Sequence, residues 1–150
     1  MLKKNLIIYL ILISFSQITS TYSNEIFLSL KKNKVNVRYG PGFDFPVKYF
    51  YEKKNLPIKQ IDQKDNFRRI IDYKKNSGWI HVSQLKKVNS VITTKDKILF
   101  KKSTIFSEPI AKIEKGRLLI IKKCEDKWCK IRTQKFEGWI KKNNLWGDVN

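Results

Sequence analysis

The residues of this 150-residue chain that could perform covalent or metal chemistry are few and widely spaced. It contains one histidine, His81, and two cysteines, Cys124 and Cys129. A structural zinc site needs about four Cys or His ligands, and a dithiol redox centre of the Cys-x-x-Cys type needs a closer spacing. A Cys–His nucleophile pair would have to join His81 to a cysteine from the other half of the chain. The spacing therefore favours neither a metal centre nor nucleophilic catalysis.

Acidic residues also give no sign of an acid–base pair. They stand singly in segments rich in turn-forming residues, where carboxylates commonly cap the backbone: Asp44, Asp62, Asp65 and Asp72. We expect His81, directly after a Gly-Trp-Ile sequence, to be a surface residue of a strand. The sequence therefore predicts a protein that is not an enzyme and that has no metal or other cofactor.

The N-terminal segment has the composition of a secretory signal peptide. Lys3 and Lys4 precede an apolar run over residues 6–15, and small polar residues follow. We predict a signal peptide over residues 1–23, with cleavage after Ser20 as the near alternative. An uncleaved anchor would need about 20 mostly apolar residues, and this run becomes polar at Ser16. We therefore expect an exported protein of the periplasm or cell envelope, with no stable membrane span after cleavage.

The charge balance has two interpretations. The 32 basic and 13 acidic residues give a net charge of +19, or +17 without Lys3 and Lys4. In the cytosol this charge, with the aromatic residues, would favour a nucleic-acid partner, whereas outside it the anionic partners are lipid headgroups, cell-wall polymers and acidic proteins. Only five of the 32 basic residues are Arg, and a compositional bias of the genome explains the lysines equally well.

The chain contains an internal repeat. A Gly-Trp-Ile motif followed five residues later by Leu occurs at 78–80 and again at 138–140, an offset of 60 residues. An aromatic residue precedes each motif, Phe67 in the first copy and Trp128 in the second. The apolar runs 56–61 and 118–121 also correspond. These matches predict two copies of one unit, over residues 24–88 and 89–150.

Each unit has the pattern of short β-strands. Val35 and Val37 alternate with polar residues, turn-forming residues separate the apolar runs, and no helical period follows residue 24. Since a unit of about 60 residues has a thin core, we expect large aromatic residues to supply much of the burial. Residues 82–85 and 142–145 are expected to be short closing turns. At Gly40-Pro41-Gly42 we expect a sharp reversal, because proline fixes φ and the flanking glycines can adopt positive φ.

The first unit resembles the bacterial SH3-like (Src homology 3) domain. The resemblance is carried by residues 35–42 (VNVRYGPG) and by the Gly-Trp-Ile motif, and the second unit keeps the motif but has 103–109 in place of the Gly-Pro-Gly turn. The resemblance implies an all-β fold of two tandem small barrels of about five strands each. It also implies binding or targeting, since members often accompany cell-wall hydrolase domains and touch peptidoglycan or peptides. The residues expected to be structural are Gly40, Pro41, Gly42, Phe67, Gly78, Trp79, Trp128, Gly138 and Trp139.

In this barrel interpretation the two cysteines flank a tight hairpin. An exported protein with two cysteines usually pairs them, so we predict a Cys124–Cys129 disulfide. Two reduced, half-buried thiols are the alternative if the cross-strand geometry is unsuitable.

The ligand surface is predicted around the Gly-Pro-Gly turn. Aromatic and basic residues gather there and on the following strand, and together they would form a stacking or Pro-peptide surface: Arg38, Tyr39, Phe43, Phe45, Tyr49 and Tyr51. The alternative is that most of these rings fill the core. The sequence thus favours an exported, non-catalytic module that binds a cell-wall polymer, peptide or envelope protein, with Lys-rich faces that aid contact with anionic surfaces. A cytosolic nucleic-acid-binding protein and an accessory subunit of a cell-wall hydrolase remain alternatives.

Overall fold

The computed structural model describes residues 25–149 and shows an all-β protein. The predicted signal peptide lies outside the described residues. The first half of the described chain forms seven short strands: β1 (Ile26–Leu30), β2 (Val35–Arg38), β3 (Val47–Tyr51), β4 (Pro57–Lys64), β5 (Phe67–Ile71), β6 (Ser77–His81) and β7 (Leu85–Lys87). A 3-10 turn at Val82–Gln84 separates β6 from β7. It lies in one of the two segments for which a closing turn was expected.

The second half repeats this series. Its strands are β8 (Ser90–Thr93), β9 (Lys97–Phe100), β10 (Pro109–Ile113), β11 (Leu118–Glu125), β12 (Trp128–Arg132), β13 (Glu137–Lys141) and β14 (Leu145–Trp146). The first sheet has the order β3-β2-β6-β5-β4-β1-β7 and the second the order β10-β9-β13-β12-β11-β8-β14. The two orders correspond strand for strand, which confirms the predicted tandem of SH3-like barrels. Each sheet has seven strands, whereas the resemblance implied about five per barrel. In the first unit the two strands that were not recognised in the sequence are β1 and β7.

The hairpins of the two sheets share their irregularities. Pairing of β4 with β5 shifts between Gln60 and Asp62, and pairing of β11 with β12 shifts between Ile121 and Lys123, as expected of a β-bulge. Ile58 is fully buried, whereas Ile61, which has no partner at the shift, is exposed. Asp65 and Asp126 adopt positive φ in the turns that join these strands, a conformation that aspartate tolerates well.

Each sheet has its own core, and both cores are aliphatic. The twelve largest fully buried side chains of residues 25–149 are all Leu, Ile or Val. The expectation that large aromatics supply much of the burial is therefore wrong for the centre of each unit. Trp79, Trp128 and Trp139 are half-buried and cover the rim. Branched aliphatic side chains fill a narrow space between twisted strands, whereas an indole ring has one face to cover and an N–H to hydrate.

The two units meet at strand β8. Ile92 belongs to the core of the first unit, whereas the adjacent Val91 belongs to that of the second, as the alternation of side chains along a strand requires. The hydroxyls of Ser29 and Ser90, both fully buried, lie 3.0 Å apart across the junction. The ring of Trp146 meets that of Phe27 edge to face at 5.3 Å. The duplicated cores are thus joined by direct packing between the units.

Candidate functional site

The Gly-Pro-Gly loop of the first unit is held by Arg38. Its Nη1 atom donates hydrogen bonds to the carbonyl oxygens of Phe43, at 3.2 Å, and of Phe45, at 2.7 Å. This draws the Phe43 ring onto Phe67 and His81, with centroid distances of 5.3 and 5.1 Å. The structure therefore brings two predicted ligand residues, Arg38 and Phe43, together with a residue that was predicted to be structural.

The glycines of this loop serve a purpose other than the expected one. Neither Gly40 nor Gly42 has the positive φ that glycine permits. A Cβ atom at Gly40 would lie 2.4 Å from the Phe45 ring, whereas one at Gly42 would lie 3.4 Å from it. Gly40 is needed because an aromatic side chain folds back over the backbone at that point.

The other predicted ligand residues lie apart from this cluster. Tyr39 is 63% exposed, and the Lys48 ammonium lies 5.6 Å from the centre of its ring. Tyr49 and Tyr51 pack against the core of the first unit. The Tyr51 hydroxyl donates to the buried carboxylate of Asp72, which also accepts from the backbone N–H groups of Lys74 and Asn76. Asp72 is thus the turn former that the sequence predicted, and the two tyrosines are part of the framework.

Burial of Tyr51, together with the Tyr49 hydroxyl and the Asp72 charge, raises its pKa far above the usual 10.0. The unfolded chain releases this proton near pH 10 and the native state does not, so stability falls as the pH rises above that value. We therefore expect the difference in urea midpoint between wild type and Tyr51→Phe to narrow above pH ~10. Tyr39→Phe, at an exposed tyrosine, is the control. A difference that stays constant from neutral to alkaline pH would contradict this linkage.

His81 lies at the surface on a strand, as expected, and it also contacts aromatic rings. It is the last residue of β6, its Nδ1 atom lies 2.8 Å from the Ser83 hydroxyl, and its ring contacts Phe67 at 5.1 Å as well as Phe43. The only sequence signal for these ring contacts was the place of His81 directly after the Gly-Trp-Ile motif, at the end of a predicted strand. The contact between His81 and Phe43 depends on the fold of the Gly-Pro-Gly loop, which the sequence does not show.

The second unit has the same place in its fold, with different residues. Loops of eight residues join β2 to β3 and β9 to β10, and their fifth residues are Phe43 and Ile105. Strands β5 and β12 begin with Phe67 and Trp128, and strands β6 and β13 end with His81 and Lys141. A groove of about 560 Å³, here called the Trp128 groove, is lined by Ser103, Thr104, Ile105, Asp126, Lys127, Trp128, Lys141, Lys142 and Asn143.

The Trp128 groove is rich in positive charge. Lys127, Lys141 and Lys142 line it, and the Lys141 ammonium lies 5.9 Å from the centre of the Trp128 ring. Lys97 lies beside it and donates to the Asn143 side-chain oxygen at 3.2 Å. Burial and the charge of Lys141 lower the pKa of Lys97. Among residues 25–149 none of these four lysines forms an ion pair, so the charge of the groove is available to a ligand.

The predicted disulfide is present beside this groove. Cys124 and Cys129 are directly opposite in the pairing of β11 with β12, with Cα atoms 4.0 Å apart, and their sulfur atoms are bonded. The bond closes the hairpin turn that carries Asp126, Lys127 and Trp128. It therefore limits the movement of one wall of the groove.

Replacing both cysteines by serine, as Cys124→Ser/Cys129→Ser, is expected to lower the free energy of unfolding by about 2 kcal/mol, because the closed loop is short. The measurement is urea denaturation of the oxidised wild type and of the double variant. Wild type denatured in the presence of a reductant provides a second sample without the disulfide. Wild type and the double variant with equal midpoints would contradict this estimate.

The described residues contain no metal-binding cluster and no apolar membrane-spanning helix. Within residues 25–149 no group of three or more His, Cys, Asp or Glu side chains is placed to hold a metal ion. The same part of the chain contains no helix with the length and apolar character needed to cross a membrane. The geometry provides aromatic and cationic surfaces at the loop ends of the barrels, which suit recognition.

The match to a family model agrees with this architecture. A family model described as bacterial SH3 domain matches residues 31–87 and 104–147, more than half of the chain. No curated protein is detectably similar. Among solved structures, NlpC2 and NlpC1 from Trichomonas vaginalis share 12% and 13% identity, with TM-scores of 0.39 and 0.38, each over 85% of this chain. The chain spans only 50% and 47% of their lengths. Through its two matched segments and its two corresponding sheets, the chain belongs to the bacterial SH3 domain family.

Proposed function

We propose that this chain is an exported, non-catalytic module that binds a ligand of the cell envelope through the loop ends of its two barrels. The observation that carries the proposal is the repeated placement of aromatic and cationic side chains there. In the first unit Tyr39 and Phe43 are 63% and 65% exposed, and in the second unit Trp128 lies among lysines. Exposed aromatic residues next to unpaired cations are a recurrent feature of recognition surfaces.

The family supports a binding role, and the predicted signal peptide supports a location outside the cytosol. The ligand would be a cell-wall polymer, a peptide or an envelope protein. The high positive charge would help by attracting the module to anionic surfaces, an effect that weakens as ionic strength rises.

Cosedimentation of the purified protein with isolated cell-wall sacculi tests this function. We expect the protein to pellet with the sacculi and to release no soluble fragments. A protein that does not pellet with the sacculi and that captures no partner from envelope extract would contradict envelope binding. Clear release of fragments would instead favour a role in cell-wall hydrolysis.

Export is tested separately by N-terminal sequencing of the natural protein. We expect a chain that begins near Asn24. A chain that retains its first 23 residues would contradict export by cleavage. Together with tight binding to duplex DNA or RNA, it would favour the nucleic-acid-binding alternative that the net charge of +19 suggests.

A further inference from the structure

The same place in the fold is closed in one unit and open in the other. In the first unit Phe43 covers Phe67 and His81, and Arg38 holds the loop by hydrogen bonds to two of its carbonyl oxygens. A ligand would have to displace Phe43 to reach these residues. The first unit thus fills its own groove with a side chain of its own loop.

The second unit lacks both parts of this closure. Phe100 stands at the end of β9, where Arg38 stands in β2, and its side chain has no hydrogen-bond donor to hold the loop. It packs edge to face on Trp128 instead, at 5.7 Å. Ile105, at the position of Phe43, is smaller and has no aromatic ring to lie over Trp128. The loop that lost the Gly-Pro-Gly sequence is therefore the loop that leaves its groove open.

The lining of the open groove specifies the charge of its ligand. The ammonium groups of Lys127, Lys141 and Lys142 come from the β11–β12 turn and from the end of β13, and Asp126 is the one acidic residue among the nine that line it. Cations on separate elements suit a ligand with several separated negative charges rather than a single compact anion. Trp128 and Ile105 add apolar surface between them.

We propose that the Trp128 groove binds an acidic peptide in which carboxylates flank an apolar side chain. The lysines would pair with the carboxylates, and the apolar side chain would lie against Trp128 and Ile105. The proposal rests on the proposed function and deepens it, since it names the chemistry of the ligand that the loop end of the second unit would bind.

The test is calorimetric titration of the purified protein with a blocked hexapeptide of alternating glutamate and leucine. The matching peptide with glutamine in place of glutamate reports the carboxylate contribution, and polyphosphate reports attraction to any polyanion. We expect the glutamate peptide to bind at least about tenfold more tightly than the glutamine peptide. Polyphosphate that binds as tightly as the glutamate peptide, and is lost in the same variants, would overturn the assignment to a peptide.

Two variants locate the site. The triple variant Lys127→Gln/Lys141→Gln/Lys142→Gln is expected to weaken binding of the glutamate peptide by at least about tenfold. The matched control is Lys31→Gln/Lys32→Gln/Lys54→Gln, which removes the same charge from exposed positions of the first unit. Ile105→Ser should also weaken binding without changing any charge, because it removes apolar surface against which the apolar side chain of the ligand would lie. Equal affinities in the two triple variants, or full affinity in Ile105→Ser, would overturn the proposal.

The two proposals can fail independently. If the groove variants bind sacculi as well as wild type does, the envelope function stands and the Trp128 groove is not the site of that binding. If the protein binds the glutamate peptide through the groove but binds neither sacculi nor any component of envelope extract, the groove proposal is supported and the envelope function is contradicted. Circular dichroism of each variant would show whether a loss of binding reflects loss of fold.

Discussion

Ile92→Ala is expected to lower the free energy of unfolding by about 3 to 4 kcal/mol. Ile92 is fully buried, and although it lies on β8 in the second half of the chain, it is part of the core of the first unit. Removing its side chain leaves a cavity where Leu118 and Trp146 of the second unit also pack. The substitution should therefore damage the first core and the junction together.

Urea denaturation followed by circular dichroism gives the loss of stability, and hydrogen exchange locates it. We expect the amides of Ile70 and Ile80, in the first core, to lose more protection than those of Ile131 and Ile140, in the second. Ile98→Ala is the matched control, since Ile98 is 43% exposed and its truncation should cost less than about 1 kcal/mol. Equal effects of the two substitutions, or a loss of protection confined to the second core, would contradict the role of β8 as a shared strand.

Gly138→Ala is expected to cost about 3 kcal/mol of unfolding free energy, the upper end of the usual range for overpacking. A Cβ atom at this position would lie 2.6 Å from the carbonyl oxygen of Phe100 and 2.9 Å from the Ile110 side chain. The carbonyl oxygen belongs to the backbone of β9, which pairs with β13 at this point. Since a strand cannot rotate away as a side chain can, the two strands must separate.

The matched control is Gly42→Ala, which places a methyl group at an ordinary contact distance of 3.4 Å from the Phe45 ring. Its expected cost is below about 1 kcal/mol. The measurement is the urea midpoint of both variants by tryptophan fluorescence. A Gly138→Ala protein as stable as the control would mean that β9 and β13 separate at little cost, and would contradict close packing of the motif glycine.

Several features of the fold could be predicted because their signals are local. The two Gly-Trp-Ile motifs, at a fixed offset with an aromatic residue before each, predicted the duplication. The spacing of Cys124 and Cys129 across a short run of turn residues, in a chain expected to leave the cytosol, predicted the disulfide. Turn chemistry likewise predicted the role of Asp72, whose carboxylate caps the backbone of its own turn.

Other features could not be predicted because they depend on contacts between distant residues. Phe43 and Phe45 look alike in the sequence, but Phe43 lies on Phe67 and His81, whereas Phe45 lies over Gly40. Tyr49 and Tyr51 were grouped with the ligand residues because they are close in sequence. The alternation of β3 instead points them at the first core.

The amino-acid sequence by itself determined that the chain is a duplicated β protein stapled at one hairpin, because strand periodicity, turn residues and repeated motifs are written into short segments. Only the tertiary structure decided that β8 serves both cores, and that the groove beside Trp128 is open while its counterpart is filled. These outcomes depend on contacts between residues that are distant in the sequence. The guanidinium of Arg38 donates hydrogen bonds to the loop that carries Phe43, whereas Phe100 packs on Trp128 and has no donor for the loop that carries Ile105.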